Sequence, residues 1–195
     1  MLKYLFIVLS VLLTSLSYGF EKTDSIIHKD SIKQVGELAK INLDTDTALT
    51  TCALEQQFLN AVFDSISIHL GTPYRYGGTT PNGFDCSGIF YYVFQKFDIK
   101  LSRSSRGLAE KGIEVELHQL QPGDFLFFKG RDRRSSRIGH VAMVIEINED
   151  SFKMIHSCSR GLIIDTYSES TYYQQRFIKA KRYDFEYLKT MSALL

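Results

Sequence analysis

The apolar residues of the chain follow helical spacing in its first half. Between residues 53 and 70 they recur every three or four positions, at Leu54, Phe58, Leu59, Val62, Phe63, Ile66 and Leu70. This spacing predicts a helix with one apolar face, which Gly71 and Pro73 end. The segment Ser87–Phe97 is apolar or aromatic on nearly every side, which predicts a helix buried in the centre of the domain.

Short apolar runs separated by turns fill the second half. The predicted strands are Phe125–Phe128, His140–Ile147, Phe152–Cys158, Leu162–Tyr167 and Phe177–Tyr183. Such spacing favours an antiparallel sheet. Helices followed by strands indicate an α+β domain.

The N-terminus predicts export. Lys3 precedes an apolar segment, residues 4–16, and small residues follow it. The segment is shorter than the roughly 20 residues that span a bilayer, which favours a cleaved signal peptide at residues 1–19 over an uncleaved anchor. We therefore expect a periplasmic or cell-surface protein without a stable membrane anchor. Polar residues 20–52 are interpreted as an N-terminal extension, and residues 53–195 as one folded domain with a C-terminal tail.

The charge balance argues against some partners. The chain has 23 Lys and Arg against 22 Asp and Glu, and loss of Lys3 with the signal peptide makes the numbers equal. Nucleic-acid binding usually needs a basic surface, so no nucleic-acid partner is expected. A general attraction to acidic membranes is not expected either. The mature protein is predicted to be a monomer.

Three cysteines, Cys52, Cys86 and Cys158, leave at least one thiol unpaired. A Cys52–Cys158 disulfide is one possibility. Cys86 directly follows a glycine-rich loop, at the start of the buried helix. The free N–H groups and partial positive charge of a helix N-terminus are expected to lower the pKa of this thiol and to hold an oxyanion. Cys86 is therefore a candidate nucleophile, the alternative being a small buried cysteine without reactivity.

Two histidines are candidates for the base and its partner. His140 begins one predicted strand and His156 lies near the end of the next. Neighbouring antiparallel strands can place the two side by side, so that His156 orients the imidazole of His140 as in a catalytic triad. The alternatives are structural histidines, or a zinc site of Cys86, His140, His156 and Cys158, whose spacing matches none of the usual structural patterns.

Five short motifs occur in order along the domain. They are Pro73-Tyr74-Arg75-Tyr76-Gly77-Gly78, Asp85-Cys86-Ser87-Gly88, Arg103-Ser104-Ser105, Leu120-Gln121-Pro122-Gly123-Asp124 and Gly139-His140-Val141. Together they resemble the NlpC-type cell-wall cysteine peptidases of the papain-like superfamily. The resemblance covers about Ala53 to Tyr183 and implies a papain-like fold, with the central helix that carries the nucleophile packed on an antiparallel β-sheet.

The resemblance implies a reaction as well as a fold. Cys86 matches the nucleophile, His140 the base and His156 the third polar position. The implied activity is that of an exported endopeptidase that hydrolyses amide bonds in peptidoglycan stem peptides, at the γ-D-glutamyl–diamino-acid bond or at a cross-link. No metal ion or organic cofactor is implied. The alternatives are an amidase or acyltransferase on the same cysteine–histidine scaffold, and a non-catalytic module that binds the cell wall.

Five further residues are predicted to lie on the oxyanion or substrate side. Tyr74 matches a tyrosine near the catalytic cysteine. Asp85 and Ser87 match residues that in some relatives contact the amino end of the stem peptide, their local alternatives being a helix cap and a first-turn residue. Arg103 and Ser104 belong to the set through the Arg-Ser-Ser motif.

The loop Lys129–Arg137 carries five cations and one acid. A solvated surface loop is the simpler interpretation, because runs of charge normally lie in water. The functional interpretation is that the loop attracts carboxylate-bearing peptide stems to the site beside His140.

Overall fold

A computed structural model describes residues 52–185 of the protein. The predicted signal peptide, nearly all of the predicted N-terminal extension and residues 186–195 lie outside the described residues. Between residues 52 and 185, no helix is long and apolar enough to cross a membrane.

Four α-helices and eight strands make up the described domain. The helices are α1 (52–67), α2 (Gly88–Gln95), α3 (Ser105–Ala109) and α4 (Thr171–Gln174). The strands are β1 (Thr79–Thr80), β2 (Gly83–Phe84), β3 (Ile113–Val115), β4 (Phe125–Lys129), β5 (Ile138–Ile147), β6 (Phe152–Cys158), β7 (Gly161–Thr166) and β8 (Phe177–Arg182). Two 3₁₀ turns, Leu117–Gln119 and Tyr167–Glu169, complete the elements.

Six strands form one antiparallel sheet in the order β3-β8-β4-β5-β6-β7, and β1 and β2 form a small hairpin. The α+β class predicted from the sequence is confirmed. The five predicted strands lie within two residues of the observed ones. β3 was not predicted, because three residues that pair only with an edge of the sheet carry little periodic signal.

The two faces of the sheet bury different apolar sets. Side chains alternate between the faces along a strand, so Phe125 and Phe127 of β4 face α1 and α2, whereas Leu126 and Phe128 face away from them. Phe90 of α2 packs edge-on against Phe125, with ring centroids 5.2 Å apart. Because the first four of the five β4 residues are fully buried, apolar packing covers the centre of the sheet on both faces.

Close backbone packing fixes the segment ahead of α2. The Asp85 amide donates to the Gly78 carbonyl at 3.1 Å. A Cβ on Gly88 would lie 1.9 Å from that carbonyl oxygen, a distance that no side chain tolerates. Glycine at position 88 therefore lets the glycine-rich loop press against the start of α2, which fixes the position of Cys86 between them.

The Pro-Gly-Asp turn anchors β4 to the neighbouring strand. Asp124 is 1% exposed and accepts two hydrogen bonds from Arg182 of β8, each 2.8 Å long. Its carboxylate also accepts from the Gln121 amide at 2.8 Å. A buried carboxylate needs such partners. The presence of Asp124 in the motif is therefore explained by its structural role.

Candidate active site

Cys86 lies between the loop and the sheet, just before α2. It is 8% exposed, and Ser87 after it occupies the N-cap position of α2 without a side-chain capping bond. The backbone N–H of Val141 hydrogen-bonds to the Cys86 thiol. Because Val141 directly follows His140 in β5, the sulfur contacts the strand that carries the candidate base.

Burial and, to a smaller extent, the charge of the adjacent Asp85 raise the pKa of the Cys86 thiol to about 11. Hydrogen bonds from the backbone N–H groups of Val141 and Ser87 oppose the shift only in part. The expectation that the helix N-terminus lowers this pKa was wrong, because desolvation of the charged sulfur outweighs the favourable N–H groups. In the resting protein the sulfur is a thiol at neutral pH.

The helix N-terminus is also unavailable as an oxyanion site. The amides of Ser87 and Gly88 both donate to Asp85 Oδ1, at 3.1 and 2.7 Å. These are the N–H groups expected to hold the oxyanion, and an internal carboxylate occupies them. The Cys86 amide and the Tyr74 hydroxyl remain as candidate donors.

Tyr74 lies close to Cys86, near the open side of the site. It is 38% exposed and forms an isolated backbone bridge with Phe84. Burial and, to a smaller extent, the charge of Cys86 raise the pKa of Tyr74. Its hydroxyl therefore keeps its proton and can donate a hydrogen bond.

The two predicted histidines form a hydrogen-bonded pair. His140 Nε2 and His156 Nδ1 are 3.1 Å apart, with the rings nearly perpendicular. Met143 of β5 is paired with Ile155 of β6, and each histidine is an odd number of residues from that pair, so both project from the same face of the sheet. Burial lowers the pKa of both rings, and the mutual charge of His156 lowers that of His140 further. Both rings are neutral at pH 7.

Asp165 of β7 extends the histidine pair into a chain. Its Oδ2 atom lies 3.0 Å from His156 Nε2 and also accepts a hydrogen bond from Arg160. The pKa of His156 is raised by Asp165 but lowered more strongly by burial. The Tyr173 ring stacks on His140 with centroids 5.6 Å apart, and its hydroxyl is 3.3 Å from His156 Nδ1.

Asp85, Ser87 and Arg103 form a separate network around the loop. Arg103 donates to both Asp85 oxygens, at 2.9 and 2.7 Å, and to the Gly78 carbonyl at 3.3 Å. Ser87 Oγ donates to the Arg103 carbonyl at 2.8 Å. The amide of Gly77 adds a further bond to Asp85 at 2.9 Å. Both Asp85 oxygens are thus used inside the protein, which favours the local role for Asp85 and Ser87 over contact with a peptide amine.

Ser104 lies apart from that network. Its side chain accepts a hydrogen bond from the Gly107 amide at 3.1 Å and caps α3. An N-terminal cap of this kind stabilises a helix by about 1 kcal/mol. A role for Ser104 in substrate binding stays a prediction.

A cleft of about 460 Å³ opens beside His140. Three tyrosines line it (Tyr74, Tyr172 and Tyr173), together with three cations (Lys129, Arg131 and Arg160). No carboxylate of the described residues lines it. The cleft is therefore suited to a ligand that is negatively charged and that can lie against aromatic rings.

The NlpC/P60 family model matches residues 71–182, which is more than half of the chain. The chain belongs to the NlpC/P60 family. All five motifs and the whole histidine chain lie inside the matched region.

Similar proteins of this family are named for several activities. The γ-DL-glutamyl hydrolase of Bacillus subtilis is 42% identical over 115 residues, which are 58% of this chain and 27% of that protein. The probable endopeptidase NlpC of Escherichia coli is 31% identical over 120 residues, 61% of this chain and 74% of that one. The chain thus spans about a quarter of the first relative and three quarters of the second.

Solved NlpC/P60 structures share the fold. The family protein from Bacillus cereus superposes with a TM-score of 0.56 and 31% identity, over 64% of this chain and 40% of that chain. The NlpC/P60 domain of the peptidoglycan hydrolase SagA gives a TM-score of 0.52 at 23% identity, over 64% and 98%. The central helix packed on an antiparallel sheet is the architecture that the sequence predicts for a papain-like domain.

The three cysteines are all free thiols, so the Cys52–Cys158 disulfide that the sequence allows is not formed. Cys158 lines the cleft. Among residues 52–185, no group of three or more His, Cys, Asp or Glu side chains is arranged to hold a metal ion. The four residues of the alternative zinc site are therefore not brought together as ligands.

Sequence reasoning missed Asp165, Arg160 and Tyr173. Asp165 carried a weak signal, because aspartate is rare in an apolar strand such as Leu162-Ile163-Ile164-Asp165. Its partner could be found only from the β6–β7 register, in which Met154 faces Asp165 and His156 faces Ile163. That register puts Asp165 on the same face as His156 and diagonal to it.

Proposed function

We propose that this NlpC/P60 protein is an exported cysteine endopeptidase that cleaves amide bonds in peptidoglycan stem peptides. The bond is the γ-D-glutamyl–diamino-acid bond or a peptide cross-link. One observation carries the proposal: Val141, whose N–H hydrogen-bonds to the Cys86 sulfur, directly follows His140 in β5, and His140 Nε2 is hydrogen-bonded to His156. A nucleophile, a base and an orienting group in this order are the elements of acyl transfer by a thiol.

Acylation begins from a neutral pair. Because the Cys86 pKa is raised and the His140 pKa is lowered, the thiol proton moves to His140 Nδ1 as the sulfur attacks the scissile carbonyl carbon. The oxyanion of the tetrahedral intermediate accepts hydrogen bonds from the Cys86 amide and the Tyr74 hydroxyl. When the carbon–nitrogen bond breaks, His140 returns the proton to the leaving amine, and a thioester on Cys86 remains.

Deacylation repeats these steps with water. His140 takes a proton from a water molecule, whose oxygen attacks the thioester carbonyl. The carbon–sulfur bond breaks, the acid product leaves, and the proton returns to Cys86. His156 holds the His140 ring throughout, since its Nδ1 stays bonded to His140 Nε2.

The charge of the cleft supports an acidic substrate. Lys129, Arg131 and Arg160 line a site without an opposing carboxylate among the described residues. Stem peptides with D-glutamyl and diamino-acid residues carry free carboxylates that such cations attract. A γ-linked glutamyl chain is a second candidate substrate, favoured by the same cations and by the likeness to the Bacillus subtilis γ-DL-glutamyl hydrolase.

Digestion of purified muropeptides, read by mass spectrometry, tests the proposal. The mature protein is expected to release fragments whose masses name the bond, and Cys86→Ser is expected to release none. Cys52→Ser is the matched control, because Cys52 is an exposed thiol at the start of α1, and its activity should equal that of the wild type. Poly-γ-glutamate is digested in parallel to separate the two candidate substrates.

A negative result is also informative. If neither polymer is cleaved while Cys86 is shown to be reduced, the endopeptidase is rejected. Transfer of a labelled acyl group to an added amine would then identify an acyltransferase, and sedimentation with intact cell walls would identify a binding module.

A further inference from the structure

The histidine pair continues through a carboxylate to an arginine at the cleft. Asp165 Oδ2 accepts from His156 Nε2 at 3.0 Å and from Arg160. The His156 side chain has no solvent exposure, and that of Asp165 is largely buried. Arg160 lines the cleft with 61% of its side chain exposed. Three bonds thus link the cleft surface to His140.

The position of each proton in the hydrogen-bonded series from Asp165 to His140 follows from the carboxylate at one end. An ionised carboxylate only accepts hydrogen bonds, so Asp165 requires a proton on His156 Nε2. Since His156 is neutral, its Nδ1 then holds a lone pair and accepts the proton on His140 Nε2. Neutral His140 is left with its lone pair on Nδ1, the nitrogen that takes the Cys86 proton in the proposed mechanism.

We propose that Asp165 is a positioning residue that determines, through His156, which nitrogen of His140 acts as the base. This inference rests on the proposed function and adds a fourth member behind the three predicted from the sequence. Without a carboxylate at position 165, His156 can carry its proton on Nδ1. That proton would point at His140 Nε2, and His140 would then hold its own proton on Nδ1, where it cannot accept one from a thiol.

Arg160 forms an ion pair with Asp165. The hydrogen bond to Asp165 is the largest influence that raises the pKa of Arg160, which shows that the two are a pair. The charged and titratable groups that interact with His156 are His140 of β5, Asp165 of β7, Tyr173 of α4 and Arg160 of the β6–β7 turn. Of these, only Asp165 is an acceptor for His156 Nε2.

Tyr173 is the remaining group that could fix the tautomer of His156. Its hydroxyl lies 3.3 Å from Nδ1, farther than His140 Nε2 at 3.1 Å. Nδ1 of a neutral ring with its proton on Nε2 has a single lone pair. The closer donor, His140 Nε2, therefore forms the hydrogen bond to it. Tyr173 therefore acts mainly through packing of its ring on His140, and Tyr173→Phe is expected to retain the tautomer.

The test compares Asp165→Asn with the wild type by two readouts. Nitrogen-15 NMR of the imidazole rings is expected to show protonated Nε2 and bare Nδ1 for His140 in the wild type, and a mixture or the reverse in Asp165→Asn. On muropeptides, kcat is expected to fall by up to roughly 10⁴, the loss seen when the orienting carboxylate of a serine-peptidase triad becomes an amide. KM should change by less than about threefold, because Asp165 does not line the cleft.

Two controls separate positioning from general structural damage. Glu146→Gln makes the same chemical change in an ion pair, Lys153–Glu146 at 2.8 Å, on strands of the same sheet, and should leave both readouts at wild-type values. Asp165→Glu retains the charge and should restore part of kcat and the wild-type nitrogen shifts. An Asp165→Asn protein with wild-type shifts and wild-type kcat would overturn the inference. The NMR result is independent of activity, so a protein without peptidase activity still tests it.

Discussion

Two aspartate–arginine pairs lie beside the candidate site and have different roles. Asp85 pairs with Arg103 and accepts three backbone amides, so every partner is a fixed donor that never gives up its proton at neutral pH. Asp165 pairs with Arg160 and with His156, a ring whose proton can move between two nitrogens. The first pair is a structural anchor, and we infer that the second directs a proton.

The comparison shows that the partners of a buried carboxylate decide its role. Asp85 precedes Cys86 in the chain and fixes the loop, but its charge raises the pKa of the nucleophile. Asp165 is remote from Cys86 in sequence, yet it opposes the effect of burial on the His156 ring. Position in a motif therefore drew attention to Asp85, whereas only the sheet register places Asp165 beside His156.

The largest expected effect concerns the nucleophile beside Asp85. With a pKa of about 11, roughly one Cys86 sulfur in 10⁴ is ionised at pH 7. Alkylation of Cys86 by iodoacetamide should be slow at pH 7 and rise about tenfold per pH unit to near pH 10. Peptide mapping distinguishes alkylation of Cys86 from alkylation of Cys52, which is exposed. Rapid alkylation of Cys86 that is independent of pH between 6 and 8 would show a resting thiolate instead.

Replacing each carboxylate in turn tests the difference between the two pairs directly. Asp85→Ala leaves the partly exposed Arg103 and two helix amides without their acceptor, and we expect a loss of about 3 kcal/mol in the free energy of unfolding. Asp165→Asn is expected to cost about 1 kcal/mol, because its arginine is already in water. Urea unfolding at pH 7 measures both. Equal stability losses in the two variants would refute the distinction between anchor and positioning residue.

Acid should destabilise the fold through the two buried histidines. The pKa values of His140 and His156 are lowered in the folded protein, so below about pH 6.5 the unfolded chain binds more protons. The free energy of unfolding should therefore fall as the pH drops from 7 to 5, by up to roughly 2 kcal/mol per histidine. His156→Gln should reduce that slope. A stability that is constant from pH 7 to 5 would contradict neutral, buried rings.

The smallest expected effect lies on the basic loop. Arg131 lines the cleft, whereas Arg133 bonds to Gln175 at 2.7 Å and lies outside it, as does Arg134. Reversal of Arg133 and Arg134 to Glu should raise KM about two- to fivefold at low salt, since both act only through long-range attraction. The difference should vanish near about 0.5 M salt, where screening is strong. An unchanged KM at low salt would assign the loop to solvation alone.

Periodicity and motif order predicted most of the fold and the two histidines that meet at the candidate site. The buried α2 helix, the five longest strands and the proximity of His140 to His156 follow from local pattern and from strand adjacency. The pKa of Cys86 could not be predicted from the sequence, because it depends on how deeply the loop and the sheet bury the sulfur. The contact of Asp165 with His156 could not be predicted either. The two residues are nine positions apart, and they meet only through a strand register that no local pattern specifies.

Capture of the acyl-enzyme tests the central claim most directly. The mature protein is mixed with muropeptides, quenched in acid within the first turnover, digested and analysed by mass spectrometry. We predict that the peptide containing Cys86 gains the mass of the acyl half of the substrate, as a thioester that hydroxylamine removes, and that Asp165→Asn forms it more slowly. Muropeptide cleavage that persists in Cys86→Ser, without any adduct on Cys86 in the wild type, would contradict the account.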